Sequence, residues 1–72
     1  MNSDTLREFL KKRPFEPFAI KLSNGDRHEI RHPEFAIVSP SRLVVVDPVT
    51  ERVSLISMIH IVEIQSLQTS NN

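Results

Sequence analysis

Residues 18–30 read Phe-Ala-Ile-Lys-Leu-Ser-Asn-Gly-Asp-Arg-His-Glu-Ile, and this stretch predicts a β-hairpin. Before the central Asn24-Gly25 pair, apolar residues occupy every second position, which is typical of a half-buried strand. Asn and Gly both tolerate the positive φ that a type I′ turn requires at its two central residues. Gly25 is the only glycine in the chain. We therefore predict two antiparallel strands joined by a type I′ turn.

The segment before the hairpin predicts a short helix over about residues 4–13. Ser3 or Thr5 is expected to cap it, and Glu8 would complete a capping box with Thr5. Pro14 is expected to end it. An apolar stripe along one face consists of Leu6, Phe9 and Leu10. A helix this short is not stable alone, so we expect it to dock on a sheet.

The second half of the chain predicts further strands. An apolar segment begins at Phe35, residues 43–46 are apolar on both faces, and residues 47–51 have turn composition. Residues 53–64 are rich in β-branched side chains, which favours strands, with a break expected near Ser57-Met58. Strands that are apolar on both faces need cover on both, so this half is expected to meet another subunit.

Together these elements predict one domain over residues 1–72, mainly β, in which an N-terminal helix precedes about five antiparallel strands. Over residues 18–66 the strands are expected to close into a small SH3-like barrel, with the helix at one end. The polar residues 67–72 are expected to form a frayed tail.

Composition narrows the classes of function. The chain has 72 residues and no Cys, so we expect neither a disulfide nor a Cys-based zinc site. Nine Lys and Arg balance nine Asp and Glu, so bulk charge steers the chain to neither nucleic acid nor a membrane. No apolar run is long enough to span a bilayer, and the N-terminus is too polar for a secretory signal. We expect a cytoplasmic protein.

Neither an enzyme nor a cofactor is expected. A single glycine leaves no phosphate-binding loop, and there is no Gly-x-Ser-x-Gly nucleophile motif. His28 and His32 share a strand face, but four residues of strand separate them by about 13 Å, too far for one metal ion. His60 lies between two isoleucines. We interpret all three histidines as rim or core residues and expect no metal.

The order of elements resembles the Sm-like barrel superfamily, which includes the Hfq-type RNA chaperones. The similarity covers roughly residues 4–66: a capped helix, then Ile20-x-Leu22-x-Asn24-Gly25, then apolar strands that end in residues 59–64. The stretch Pro14-Phe15-x-Pro17-Phe18 and the turn His32-Pro33-Glu34 also resemble a group of small bacterial proteins without an established activity.

The resemblance implies a homo-oligomeric, cyclic assembly, in which the fourth strand of one subunit pairs with the fifth strand of the next. Here these strands would be residues 52–57 and 59–64, which composition already marks as needing a partner. The expected subunit interface consists of Val53, Leu55, Ile56, Ile59, Ile61, Val62 and Ile64.

The RNA-binding motifs of the superfamily are absent. Residues 32–36 lack its Asp-x-x-Asn pattern, and Ser57-Met58-Ile59 is apolar where the superfamily carries a basic pair. The leading hypothesis is a non-enzymatic, self-associating binding or scaffold module. An oligomeric RNA binder with weak sequence preference is the alternative, with candidate contacts Lys11, Lys12, Arg13, Lys21, Arg27 and Arg31. A third hypothesis is a monomer whose apolar strands accept a peptide by β-augmentation.

Overall fold

The structure, a computed structural model, describes residues 1–67. It contains one α-helix and six β-strands within that range. The elements in chain order are α1 (Ser3–Lys11), β1 (Phe18–Leu22), β2 (Arg27–Ile30), β3 (Ala36–Val38), β4 (Arg42–Val46), β5 (Val53–Ser57) and β6 (Ile61–Ser66). None of the helices in residues 1–67 has the length and apolar content of a membrane span.

Helix α1 is capped by Asn2, and the predicted caps Ser3 and Thr5 were wrong. The Asn2 side-chain oxygen accepts the Asp4 N–H at 2.7 Å, which satisfies one of the donors left free in the first turn. The helix ends at Lys11, earlier than predicted, and Lys12 has left the helical region with a ψ of 137°. There the Arg13 guanidinium donates to the carbonyl oxygens of Leu10 and Lys12.

The first sheet has the order β2-β1-β6, with antiparallel pairing throughout. The predicted hairpin joins β1 to β2, but its turn is not type I′. Asn24 has negative φ, and only Gly25, at φ 95°, is left-handed. Leu22 accepts the Gly25 N–H at 2.9 Å and donates to the Asp26 carbonyl at 2.8 Å. This is a three-residue loop with a glycine β-bulge, which needs one left-handed residue instead of two.

The second sheet has the order β3-β4-β5, again antiparallel. The predicted turn between β4 and β5 is confirmed: Asp47 Oδ1 accepts the N–H groups of Val49 and Thr50 at 2.8 and 3.0 Å. Glu51 completes it with a φ of 63°. The predicted break near Ser57-Met58 is also confirmed, because a 3₁₀ turn at Met58–His60 separates β5 from β6.

The core lies between the sheets and under the helix. Its fully buried side chains include Phe18, Ile20, Ile30 and Leu43, and α1 adds Leu6. Two three-stranded sheets replace the expected five-stranded barrel, because a 3₁₀ turn at Pro33–Phe35 separates β2 from β3. A closed barrel is therefore not confirmed, whereas the mainly-β architecture with an N-terminal helix is.

The predicted tail falls almost wholly outside the described residues. Of residues 67–72, only Leu67 is described, and its N–H donates to the Pro17 carbonyl at 3.1 Å. This bond continues the contact between the end of β6 and the start of β1.

Candidate functional site

The most prominent surface feature is a set of exposed apolar side chains along β5, the following 3₁₀ turn and β6. Val53, Leu55, Ile59 and Val62 are between 56 % and 79 % exposed. We call these four residues the apolar edge cluster. Each of the two strands is the last in its sheet: β5 pairs only with β4, and β6 only with β1, among the described residues. Unpaired edges that carry apolar side chains are sites at which another strand can add.

The other three residues of the predicted interface are turned toward the core. Ile56 is 5 % exposed and Ile61 is 3 % exposed, and the half-buried Ile64 packs against the hydrophobic core. Ile56 is buried because alternate residues of β5 face opposite sides of the sheet. The structure thus divides the predicted interface into an exposed set of four and a core set of three.

The sequence reasoning missed Ile37 as a member of the exposed apolar surface. Ile37 lies opposite Val44, and Val44 lies opposite Leu55, so the three form a row across the outer face of the second sheet. Ile37 is exposed and Val44 is half-buried. In the sequence, the run of valines in β4 indicated this row, because a strand that is apolar on both faces also has an apolar outer face. The apolar edge cluster therefore continues onto a sheet face.

The candidate RNA-contact residues lie on two different elements. Lys11, Lys12 and Arg13 are exposed at the end of α1, whereas Lys21 and Arg27 are cross-strand partners in the first sheet. Lys12 is already paired with Glu16, at 3.3 Å, and its ammonium lies 4.7 Å from the centre of the Phe9 ring.

Arg27 and Arg31 are both engaged by Glu29, at 2.8 and 2.9 Å. Hydrogen bonds from the two guanidinium groups lower the pKa of Glu29 from its ordinary value. Arg27 also donates to the side-chain oxygen of Gln65 at 3.1 Å. Because Gln65 and Glu29 lie on either side of Ala19, this network spans a fully buried alanine. The two arginines are therefore already paired with a carboxylate on the outer face of the first sheet.

The three histidines are distributed over separate parts of the surface. His28 is half-buried on β2, the His32 ring lies 6.0 Å from that of Phe35, and His60 Nδ1 lies 3.4 Å from Ser23 Oγ. No group of three or more metal-ligating side chains occurs in residues 1–67. The Ser23 N–H also donates to the His60 carbonyl at 2.8 Å, so this pair ties the hairpin loop to the turn before β6.

Comparison of the chain with protein-family models, curated proteins and solved structures gives no significant match. The resemblance to Sm-like proteins consequently rests on residue pattern and on the order of elements.

Proposed function

We propose that this chain is a non-enzymatic, self-associating binding or scaffold module of Sm-like architecture. In the proposed assembly, the free edge of β5 in one copy pairs with the free edge of β6 in the next. The observation that carries this proposal is the apolar edge cluster, which lies along the two strands that end the two sheets.

The position of the two edges favours a cyclic assembly. Only three residues, Met58–His60, separate β5 from β6, so each copy would offer two different edges near one another. A contact between two different surfaces is head-to-tail, and repetition closes a ring where the rotation permits it. In the ring, one neighbour would cover the exposed apolar side chains of β5, and a second neighbour would cover those of β6.

The Sm-like assignment is part of the same proposal. Pairing of the last strand, β6, with the first strand, β1, supports it, as does the helix that precedes the strands. In this reading, β2 and β3 are the two halves of one bent strand interrupted at Pro33–Phe35. The six strands would then correspond to the five of the superfamily.

RNA binding with weak sequence preference is the second candidate. Lys11, Lys12 and Arg13 favour it, since they form an exposed basic run at the end of α1 that a ring would repeat. Pairing of Arg27 and Arg31 with Glu29 makes it the weaker candidate. A labelled polyuridylate titration at several salt concentrations tests it, because affinity carried by phosphate contacts falls steeply as salt rises.

The solution mass tests the leading proposal. We expect native mass spectrometry and light scattering to give one discrete species, since a closed ring has a fixed number of subunits, and the proposed Sm-like architecture implies roughly five to eight chains. A monomer at all concentrations would overturn the proposal. An open-ended series of masses would keep the edge pairing and reject the closed ring.

A further inference from the structure

A groove runs along the edge of β2 that is not paired with β1. It consists of two adjoining cavities of about 460 and 230 Å³. Both cavities are lined by Glu29 on one side and Asp47 on the other, so they are two parts of one continuous depression. The opposite wall is the turn between β4 and β5 together with the start of β5.

The backbone of β2 faces this groove. Arg27, His28 and Glu29 are successive residues whose side chains alternate between the two faces of the sheet, yet all three line the larger cavity. A cavity can contact side chains from both faces of a strand when it lies along the edge of that strand.

The hydrogen-bond pattern of the hairpin identifies which backbone groups are available. Leu22 and Asp26 are hydrogen-bonded to each other next to the loop. Hydrogen-bonded and non-hydrogen-bonded pairs alternate along an antiparallel ladder, so Ile20 and His28 form the next bonded pair. The N–H and C=O groups of Arg27 and Glu29 consequently point away from β1, toward the groove. Two residues of β2 thus offer an unpaired ladder to a further strand.

The two ends of the groove differ in chemistry. The larger cavity is polar and holds Arg52, which forms no salt bridge with a residue of the described chain, next to the half-buried His28. The smaller cavity has a mixed lining, in which Arg31 and His32 join four apolar side chains: Phe35, Val46, Pro48 and Val49.

The charge of the groove is complementary to an acidic ligand. Arg27, Arg31 and Arg52 outnumber the two carboxylates, Glu29 and Asp47. Both carboxylates are already occupied, Glu29 by two guanidinium groups and Asp47 by backbone N–H groups. The charge of Arg52 also acts on Asp47 and helps to lower the pKa of that carboxyl. Arg52 forms no salt bridge with a described residue, so its guanidinium N–H groups can still bind a negatively charged ligand.

We propose that this groove binds an extended peptide segment of a partner protein, which adds to the first sheet as a strand beside β2. The backbone groups of Arg27 and Glu29 would hold the peptide main chain. An acidic side chain would lie beside Arg52, and an apolar side chain would pack on Phe35 and Val49. The peptide would pair with the edge of β2, whereas the proposed self-association uses the edges of β5 and β6, although Ser54 at the start of β5 also lines the groove.

Two synthetic peptides test the proposal on the full chain. The first is an end-blocked octapeptide of alternating valine and aspartate, and the second has lysine in place of aspartate. Amide NMR is the readout. We expect the aspartate peptide to bind and to slow hydrogen exchange at the amides of Arg27 and Glu29. The lysine peptide is expected to bind about fivefold more weakly, which is the upper end of what one exposed charge pair contributes.

A charge-reversal variant tests whether Arg52 binds the acidic side chain of the peptide. Arg52→Glu is expected to weaken binding of the aspartate peptide about fivefold, whereas Lys11→Glu, at the end of α1, is expected to leave its affinity unchanged. Circular dichroism confirms that both variants remain folded.

Four outcomes would overturn the inference. They are absence of binding at millimolar peptide, equal affinity for the two peptides, protection of β5 or β6 amides in place of β2 amides, and equal effects of the two charge reversals. Protection of the Arg27 and Glu29 amides that rises with protein concentration alone would assign the groove to a second copy. Binding of polyuridylate to the groove without peptide binding would assign it to nucleic acid.

Discussion

Ile61 and Ile64 both face the core, although their spacing along β6 would place them on opposite faces of a regular strand. A β-bulge explains this arrangement. Ile61 lies opposite Leu22 and Glu63 lies opposite Lys21, so Val62 is an extra residue without a partner in β1. Val62 and Glu63 are consequently both exposed. The bulge therefore brings Val62 to the surface as part of the apolar edge cluster and keeps Ile61 in the core.

The assembly is expected to depend on Val62. Val62→Lys places a charge in the proposed contact between β5 and β6 while leaving the core intact, so we expect native mass spectrometry to show mainly monomer. The matched control is Val49→Lys, since Val49 is 88 % exposed but lies in the turn between β4 and β5. This control should retain the wild-type mass. Retention of full assembly size by Val62→Lys would refute the interface.

Gly25 is expected to be the most sensitive position of the hairpin loop. A Cβ added at Gly25 would meet nothing within 4 Å, so any loss of stability arises from the backbone φ of 95°. Gly25→Val is expected to lower the free energy of unfolding by about 1–2 kcal/mol, since a β-branched residue resists a left-handed backbone. Urea denaturation measures this, and Gly25→Asn should cost less, because Asn tolerates positive φ. Equal stability of the wild type and both variants would show that the loop does not need a left-handed backbone at Gly25.

The two faces of the second sheet are expected to respond differently to the same substitution. Ile56 is buried and Ile37 is 66 % exposed, one at each edge strand of the sheet. Ile56→Ala should destabilise by about 2–5 kcal/mol through lost burial and a cavity. Ile37→Ala should change stability by no more than about 0.5 kcal/mol in the monomeric Val62→Lys background. Similar losses in both variants would contradict the assigned faces.

Stability at acid pH is expected to depend on Asp47. Backbone hydrogen bonds from Thr50 and Val49 lower the pKa of Asp47 below its ordinary value of 3.8. Because the folded pKa is the lower one, this contribution is complete above 3.8 and is lost as the pH falls through the folded value. Asp47→Asn should therefore show a weaker loss of stability over that range than the wild type. Urea denaturation as a function of pH gives the comparison, and identical profiles would show that the carboxylate charge does not stabilise the turn.

Several elements were predictable because neighbouring residues specify them. Gly25 indicated a left-handed residue in the hairpin loop, and Asp47 indicated a hydrogen-bond acceptor for the next turn. The spacing of apolar residues in α1 indicated which side of the helix is buried. The detailed turn type was not predictable, since Asn24-Gly25 is compatible with both a type I′ turn and a loop with a glycine bulge. Asn2 was missed as the cap because several adjacent polar residues could serve equally well.

Composition showed that the second half of the chain has more apolar surface than one sheet face covers, and so indicated an exposed apolar surface near residues 53–64. It did not show which side chains form that surface. Which β6 side chains face the core depends on how β6 pairs with β1, which lies some forty residues earlier in the chain. The bulge at Val62 changes that alternation. Likewise, the groove beside β2 arises because the turn between β4 and β5 lies opposite a distant strand edge. Local sequence therefore specified where the turns lie and how apolar residues alternate, because these depend on interactions within a few residues. The choice of cap, the exposure of the β6 side chains and the groove were decided by the folded structure.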